Sequence, residues 1–162
     1  SIVFKRQKTP TQPLQGIAVL EGCSQQELQT LAELSSLRTY DASSVLVEQD
    51  SPSAEMFLIV DGSVVVSDES ATLATLGSGT VLGESAILDW WLPPKDRRSK
   101  YETGRRTATV TASADAPVEA VVIEPAGFEQ LREKAPGVAR RLMDELRRRV
   151  REDDSEAGPS SV

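Results

Sequence analysis

Glu55-Met56-Phe57-Leu58-Ile59-Val60-Asp61-Gly62-Ser63-Val64-Val65-Val66-Ser67 decides the fold class. Two runs dense in β-branched and apolar residues flank an Asp-Gly pair, and glycine adopts freely the positive backbone angles that a tight turn needs. The spacing predicts strands over 55–60 and 63–67 joined as a hairpin. On either side the same pattern recurs: short Val/Ile/Thr-rich segments at Val45–Glu48, Thr72–Leu76, Thr80–Leu82, Thr107–Ser113 and Pro117–Glu124, each bounded by turn residues. Strands this short and this evenly spaced predict a sandwich or barrel.

Helices flank the β region. Ser24-Gln25-Gln26-Glu27 is a capping box, in which the side chains of the first and fourth residues satisfy backbone N–H groups at a helix start. Leu28, Leu31, Ala32 and Leu34 follow at three- and four-residue spacing and give a narrow apolar stripe. Near the other end, Pro136 divides a helical stretch into a short helix near 127–134 and a longer one from about 137 to 152. In the longer helix Val138, Leu142, Leu146 and Val150 form a stripe suited to a core or to the pairing of two chains. Asp144–Arg148 and Glu145–Arg149 are four-apart pairs on its other side. Residues 1–16, with Lys5, Arg6, Lys8, Pro10 and Pro13, read as a flexible arm, 17–152 as the domain, and the polar residues 153–162 as a disordered tail.

Composition excludes much chemistry. The 162 residues contain no histidine and one cysteine, Cys23, so a Ser-His-Asp triad, a Cys-His dyad, a histidine metal site and an internal disulfide are ruled out. No catalytic residue and no metal ligand set is assigned. A net charge of −7 argues against direct nucleic-acid binding, which needs a basic surface to displace counterions. No apolar run is long enough to span a membrane, and the expectation is a cytoplasmic protein. One segment, about 89–104, breaks the β pattern and reads as an insertion beginning Asp89-Trp90-Trp91-Leu92-Pro93-Pro94. From Lys95 to Arg106 the net charge is +4. The two tryptophans read as a plug under this loop, with a purine cover as the alternative.

The stretch that carries chemistry is Gly79-Thr80-Val81-Leu82-Gly83-Glu84-Ser85-Ala86-Ile87-Leu88 together with Arg106-Thr107-Ala108-Thr109-Val110. It resembles the phosphate-binding cassette of the cyclic nucleotide-binding domain family, which reads Gly-Glu-x-Ala, a short helix, and then Arg-(Ser/Thr/Ala)-Ala-Thr-Val. The order of the remaining parts is similar as well, from the Ser24–Leu28 helix start through Met56-Phe57-Leu58-Ile59-Val60-Asp61-Gly62 to the Phe128-x-x-Leu131 helix. The resemblance implies a mainly β fold, a jelly-roll-like β-roll (double-stranded β-helix) with an N-terminal helix and C-terminal helices. It implies cAMP or cGMP as a regulatory ligand, with Thr107 compatible with either and cAMP slightly favoured. Two departures stand out: Arg106 follows Glu84 by 22 residues, further than the family's usual spacing, and Gln49 replaces a usual turn glycine. Arg97 or Arg98 restores a shorter spacing but loses the Thr-Ala-Thr-Val strand.

The chemistry is coherent without the family. A cyclic phosphodiester on a ribose needs a fixed cation, several N–H donors and an acceptor for the free hydroxyl. Gly83 permits close backbone approach, a helix starting near Glu84 would aim the N–H groups of Ser85 and Ala86 at an anion, and Glu84 would accept the ribose hydroxyl. Arg106 would hold the phosphate in a forked contact beside Thr107 and the Ala108 N–H, the positions that the resemblance implies. Taken singly, Glu84 is also a plain turn carboxylate, Arg106 a surface cation, and Ser85 and Thr107 a cap and a strand hydroxyl. The expectation is a non-enzymatic sensor that relays occupancy through its C-terminal helices to an effector domain or partner outside this chain, with a homodimer through the C-terminal helix as a further partner expectation. The alternative is a domain that has lost its ligand and serves protein assembly.

Overall fold

The computed structural model describes residues 4–48, 55–83 and 108–160. Among the described residues nine strands form two antiparallel sheets. The five-stranded sheet has the order β1-β2-β9-β4-β7, with β1 at Phe4–Lys8, β2 at Ser36–Tyr40, β4 at Met56–Asp61, β7 at Val81–Leu82 and β9 at Val118–Ile123. The four-stranded sheet has the order β3-β8-β5-β6, with β3 at Val45–Val47, β5 at Val64–Ser67, β6 at Thr72–Leu76 and β8 at Thr109–Ala112. Helix α1 spans Gln25–Glu33, α2 Pro125–Lys134 and α3 Pro136–Ser160. This is the mainly β architecture with flanking helices expected from the sequence.

Strand alternation divides the core in two. Along β4, Met56 and Leu58 face the helices, while Phe57 and Ile59 face the four-stranded sheet. Along β9, Val121 and Ile123 join the helix-side cluster, while Val118, Ala120 and Val122 point between the sheets. β4, β7 and β9 therefore contribute to both clusters, which is why they read as continuous apolar runs. The helix-side cluster is completed by Leu28 and Leu31 of α1, Phe128 and Leu131 of α2, and Val138, Leu142 and Leu146 of α3. Those three α3 residues are fully buried within one chain, so this part of the stripe is core and unavailable for pairing two chains. Val150 lies outside the residues whose side chains are described.

The Asp61-Gly62 turn forms, but not as a hairpin. β4 pairs with β7 and β9, whereas β5 pairs with β6 and β8, so the chain changes sheets at this point. Gly62 sits at φ +88°, and a Cβ there would lie 2.6 Å from the Pro117 carbonyl oxygen. The corner presses on the second sheet-changing connection, between β8 and β9, and the two are tied by the Ser113 N–H donating to the Ser63 carbonyl at 3.0 Å. A ladder hairpin occurs instead between β5 and β6. There one Asp68 carboxylate oxygen accepts from the Ser70 hydroxyl, the Ser70 N–H and the Ala71 N–H at 2.7, 2.8 and 3.1 Å.

The capping box is confirmed in both halves: the Glu27 N–H donates to Ser24 Oγ at 3.1 Å and the Ser24 N–H to Glu27 Oε1 at 2.8 Å. Both ends of the chain depart from expectation. Phe4–Lys8, read as part of a flexible arm, pairs antiparallel with β2, and Leu14 of the same stretch enters the helix-side core beside Ile17 and Leu20 of the domain. α3 runs to Ser160, through the residues read as a disordered tail. On α3, Arg147 pairs with Asp144 and Arg148 with Glu145, each three apart, while Arg149 of the expected four-apart pairs lies outside the residues whose side chains are described.

Replacing Gly62 by alanine should destabilise the protein by about 1–3 kcal/mol, because the substitution strains a left-handed residue and meets backbone oxygen; a lowered urea midpoint at unchanged slope is the expected result. The Asp68 carboxyl is held below its ordinary range, first by the Ser70 hydroxyl and then by the two backbone N–H groups. Its folded-state affinity for protons is thus weakened. The turn's contribution is present above the ordinary carboxylate range and is lost as pH falls through the depressed value. The Ser70 and Ala71 amide resonances should shift with pH in that acidic window, and Asp68→Asn should remove the titration.

Candidate functional site

The cassette's two ends are delivered by different sheets. β7 pairs with β4 through Leu58↔Val81 and Phe57↔Leu82, and the ladder continues as the Ile59 N–H donates to the Thr80 carbonyl at 2.9 Å and the Gly79 N–H to the Ile59 carbonyl at 2.7 Å. Gly83 follows at once with φ +101°, a backbone angle that residues with a Cβ seldom adopt. Gly83 is also the glycine of the Gly-Glu-x-Ala motif. On the other side, half-buried Ala108 leads into β8, where Thr109 stands opposite Ser67 and Val110 opposite Val66. Leu82 and Val110 belong to one inter-sheet cluster. Gly83 and Ala108 are thus set by two ladders whose side chains pack on each other. Glu84, Ser85, Ala86, Arg106 and Thr107 lie outside the described residues, as do the 89–104 insertion, Trp90 and Trp91, and Gln49.

β7 also couples the cassette's start to the C-terminal helices. Val81 is fully buried and belongs to the helix-side cluster with Leu142 and Leu146, while its neighbour Leu82 faces between the sheets. α3 packs directly on β7. Two residues of strand therefore touch both cores immediately before Gly83.

A residue that sequence reasoning did not single out is Arg38 of β2, 4% exposed. Its guanidinium meets Glu55 Oε2 at 2.9 Å and Glu124 Oε1 at 3.7 Å. Burying an arginine demands such partners. The triad ties β2 to the start of β4 and the end of β9, and its cation is engaged by the chain's own carboxylates. Its only sequence signal was a charge interrupting an otherwise apolar alternation. Cys23 is half-buried. Burial pushes its thiol up and the nearby Arg141 guanidinium pulls the other way, an environment that disfavours a reactive thiolate. Among the described residues no group of three or more acidic, cysteine or histidine side chains is placed to hold a metal, and no helix is long and apolar enough to cross a membrane.

Comparison with known proteins agrees with this geometry. The family model for the cyclic nucleotide-binding domain matches residues 37–135, a span containing both parts of the cassette motif. Among curated proteins, the chain is 28% identical over 129 residues to glutaminase 1 of Bradyrhizobium diazoefficiens, covering 79% of this chain and 18% of that protein. It is also 28% identical over 123 residues to the Pycsar effector protein PaPycTIR of Pseudomonas aeruginosa, covering 74% of this chain and 35% of that protein. The chain thus spans well under half the length of the curated relatives it matches. Among solved structures, a cyclic nucleotide-binding domain from Methylobacillus flagellatus superimposes with a TM-score of 0.74 at 19% identity, over 98% of this chain and 90% of that one, a likeness of fold. With the family model matching more than half its length and the β-roll in place, the chain belongs to the cyclic nucleotide-binding domain family.

Proposed function

We propose that this chain is a regulatory module that senses a cyclic nucleotide and has no catalytic step of its own, acting in the cytoplasm. The observation that carries the reading is Gly83 at φ +101° at the end of β7, with Ala108 at the start of β8. In this reading the Gly83, Ser85 and Ala86 backbone meets the cyclic phosphate, Glu84 accepts the ribose hydroxyl, and Arg106 neutralises the phosphate beside Thr107 and Ala108. Of the two ligands cAMP is slightly favoured over cGMP, since Thr107 is compatible with either and nothing else in the sequence points to a guanine reader. The match to a minor fraction of two longer relatives supports an output carried by an effector outside this chain.

Isothermal titration of cAMP and cGMP, with Arg106→Ala as control, tests this reading. Removing one side of a charge-assisted contact in a desolvated site costs about 2–5 kcal/mol, so the variant should bind at least about 30-fold more weakly. Equal affinities of the two proteins would remove Arg106 from the site, and no heat with either nucleotide at about millimolar concentration would favour the alternative of a domain that has lost its ligand and serves protein assembly.

Occupancy is relayed through β7. A ligand bound beside Gly83 acts on the adjoining Val81 and Leu82, and Val81 packs in the cluster that holds Leu142 and Leu146 of α3. Such a shift requires the helix to bind differently in the two states. Hydrogen exchange of the α3 amides around residues 138–146 should change on saturation with nucleotide, and Leu142→Ala should blunt that change. Exchange that is identical with and without ligand would exclude α3 as the relay.

A further inference from the structure

Away from the cassette, α2 and α3 enclose a groove of about 390 Å³. Phe128 of α2 and Ala139 and Met143 of α3 form its floor, and all three are at least nine-tenths buried. Exposed Arg132, Arg140 and Arg147 form its rim, with Asp144 as the one acidic lining residue. The α3 lining runs from Pro136 to Arg147, about 16 Å of helix, and lies beside the Val138/Leu142/Leu146 stripe that faces the core. One side of α3 thus belongs to the fold, and the adjoining side presents a cationic cleft.

We propose that this groove docks an acidic amphipathic helix of a partner protein. Charge complementarity points to the partner's sign: three guanidiniums are gathered on a chain whose net charge is −7, so an acidic segment is repelled by the surface at large and attracted here. The existing rim pairs are weak competitors. Arg132 stands 3.8 Å from Glu129 and Arg147 3.8 Å from Asp144, both as three-apart pairs with side chains roughly half exposed, and exposed pairs of this kind are worth little. Both arginines can turn to a partner's carboxylates at small cost. The apolar floor and the two-helix walls select a helix that sets a few aliphatic side chains inward and carboxylates outward. A nucleic acid fits less well, because the overall acidity opposes a polyanion and the floor's one aromatic ring, Phe128, is fully buried and offers no open face on which bases could stack.

The test uses a fluorescein-labelled peptide of about 16 residues, with leucine at helical i, i+3, i+4 and i+7 positions and glutamate elsewhere. A second peptide carries lysine in place of each glutamate. Anisotropy titrations are made with the whole chain and with the Arg140→Glu/Arg147→Glu double variant, whose fold is checked by thermal melting. The chain should bind the acidic peptide at least about tenfold more tightly than the double variant does, and the variant should come to prefer the lysine peptide. Equal binding of the acidic peptide by both proteins, or none by the chain, would overturn the proposal. Sedimentation velocity of both proteins gives a second reading: self-association lost in the variant would make the occupant a second copy, again overturning a partner helix. Nucleotide titration of the double variant should be unchanged, so failure here is distinguishable from failure of the cassette reading.

Discussion

β4 lies between two layers that both require apolar side chains, and most of the structure follows from that position. Met56 and Leu58 supply the helices while Phe57 and Ile59 supply the opposite sheet, and all four are at most 1% exposed. A strand buried on both faces has no solvated side, so a one-residue slip in register exchanges the contents of two cores at once. That constraint fixes β9 against one edge of β4 and β7 against the other. Because β7 is placed by β4, Gly83 is placed by β4 as well.

The helical layer is held close by residues that have no side chain. A Cβ on Gly127 would lie 2.6 Å from the Leu34 carbonyl oxygen, and one on Gly137 would lie 2.9 Å from Glu27 Oε2. The first contact brings the start of α2 against the end of α1. The second brings the Glu27 carboxylate, already bonded to the Ser24 N–H, to the first turn of α3, where a negative charge is favourable. Glu27 thus serves the N-terminus of one helix and lies against that of another. The Ser-x-x-Glu spacing announced only the first of these roles.

The elements legible in the sequence were those whose burial follows a simple period. All seven strands expected between Val45 and Glu124 are present, along with α1 and the division of the C-terminal helices at Pro136. β1 and β2 were not legible, for a physical reason: β1 is Phe-Lys-Arg-Gln-Lys at a sheet edge, where charge is tolerated, and β2 carries Arg38, an inward cation compensated by distant Glu55 and Glu124. The Asp61-Gly62 signal was local and correct about the turn. Which strands it joined was decided by the Pro117 backbone packed against it, more than fifty residues away. Of the candidate site, Gly83 directly follows β7 and Ala108 directly precedes β8, and Glu84, Ser85, Ala86, Arg106 and Thr107 lie outside the described residues.

The same ladders explain how an insertion can enter the motif without moving its ends. Gly83 follows a strand bonded to β4, and Ala108 precedes a strand paired with both β3 and β5. Neither anchor depends on the length of chain joining them. Doubling a connection whose ends are already fixed costs only about 0.6 kcal/mol in closure entropy, less than a typical core contact. Strand register, set by the two cores, is therefore a stronger constraint on where Gly83 and Ala108 lie than the number of residues between them.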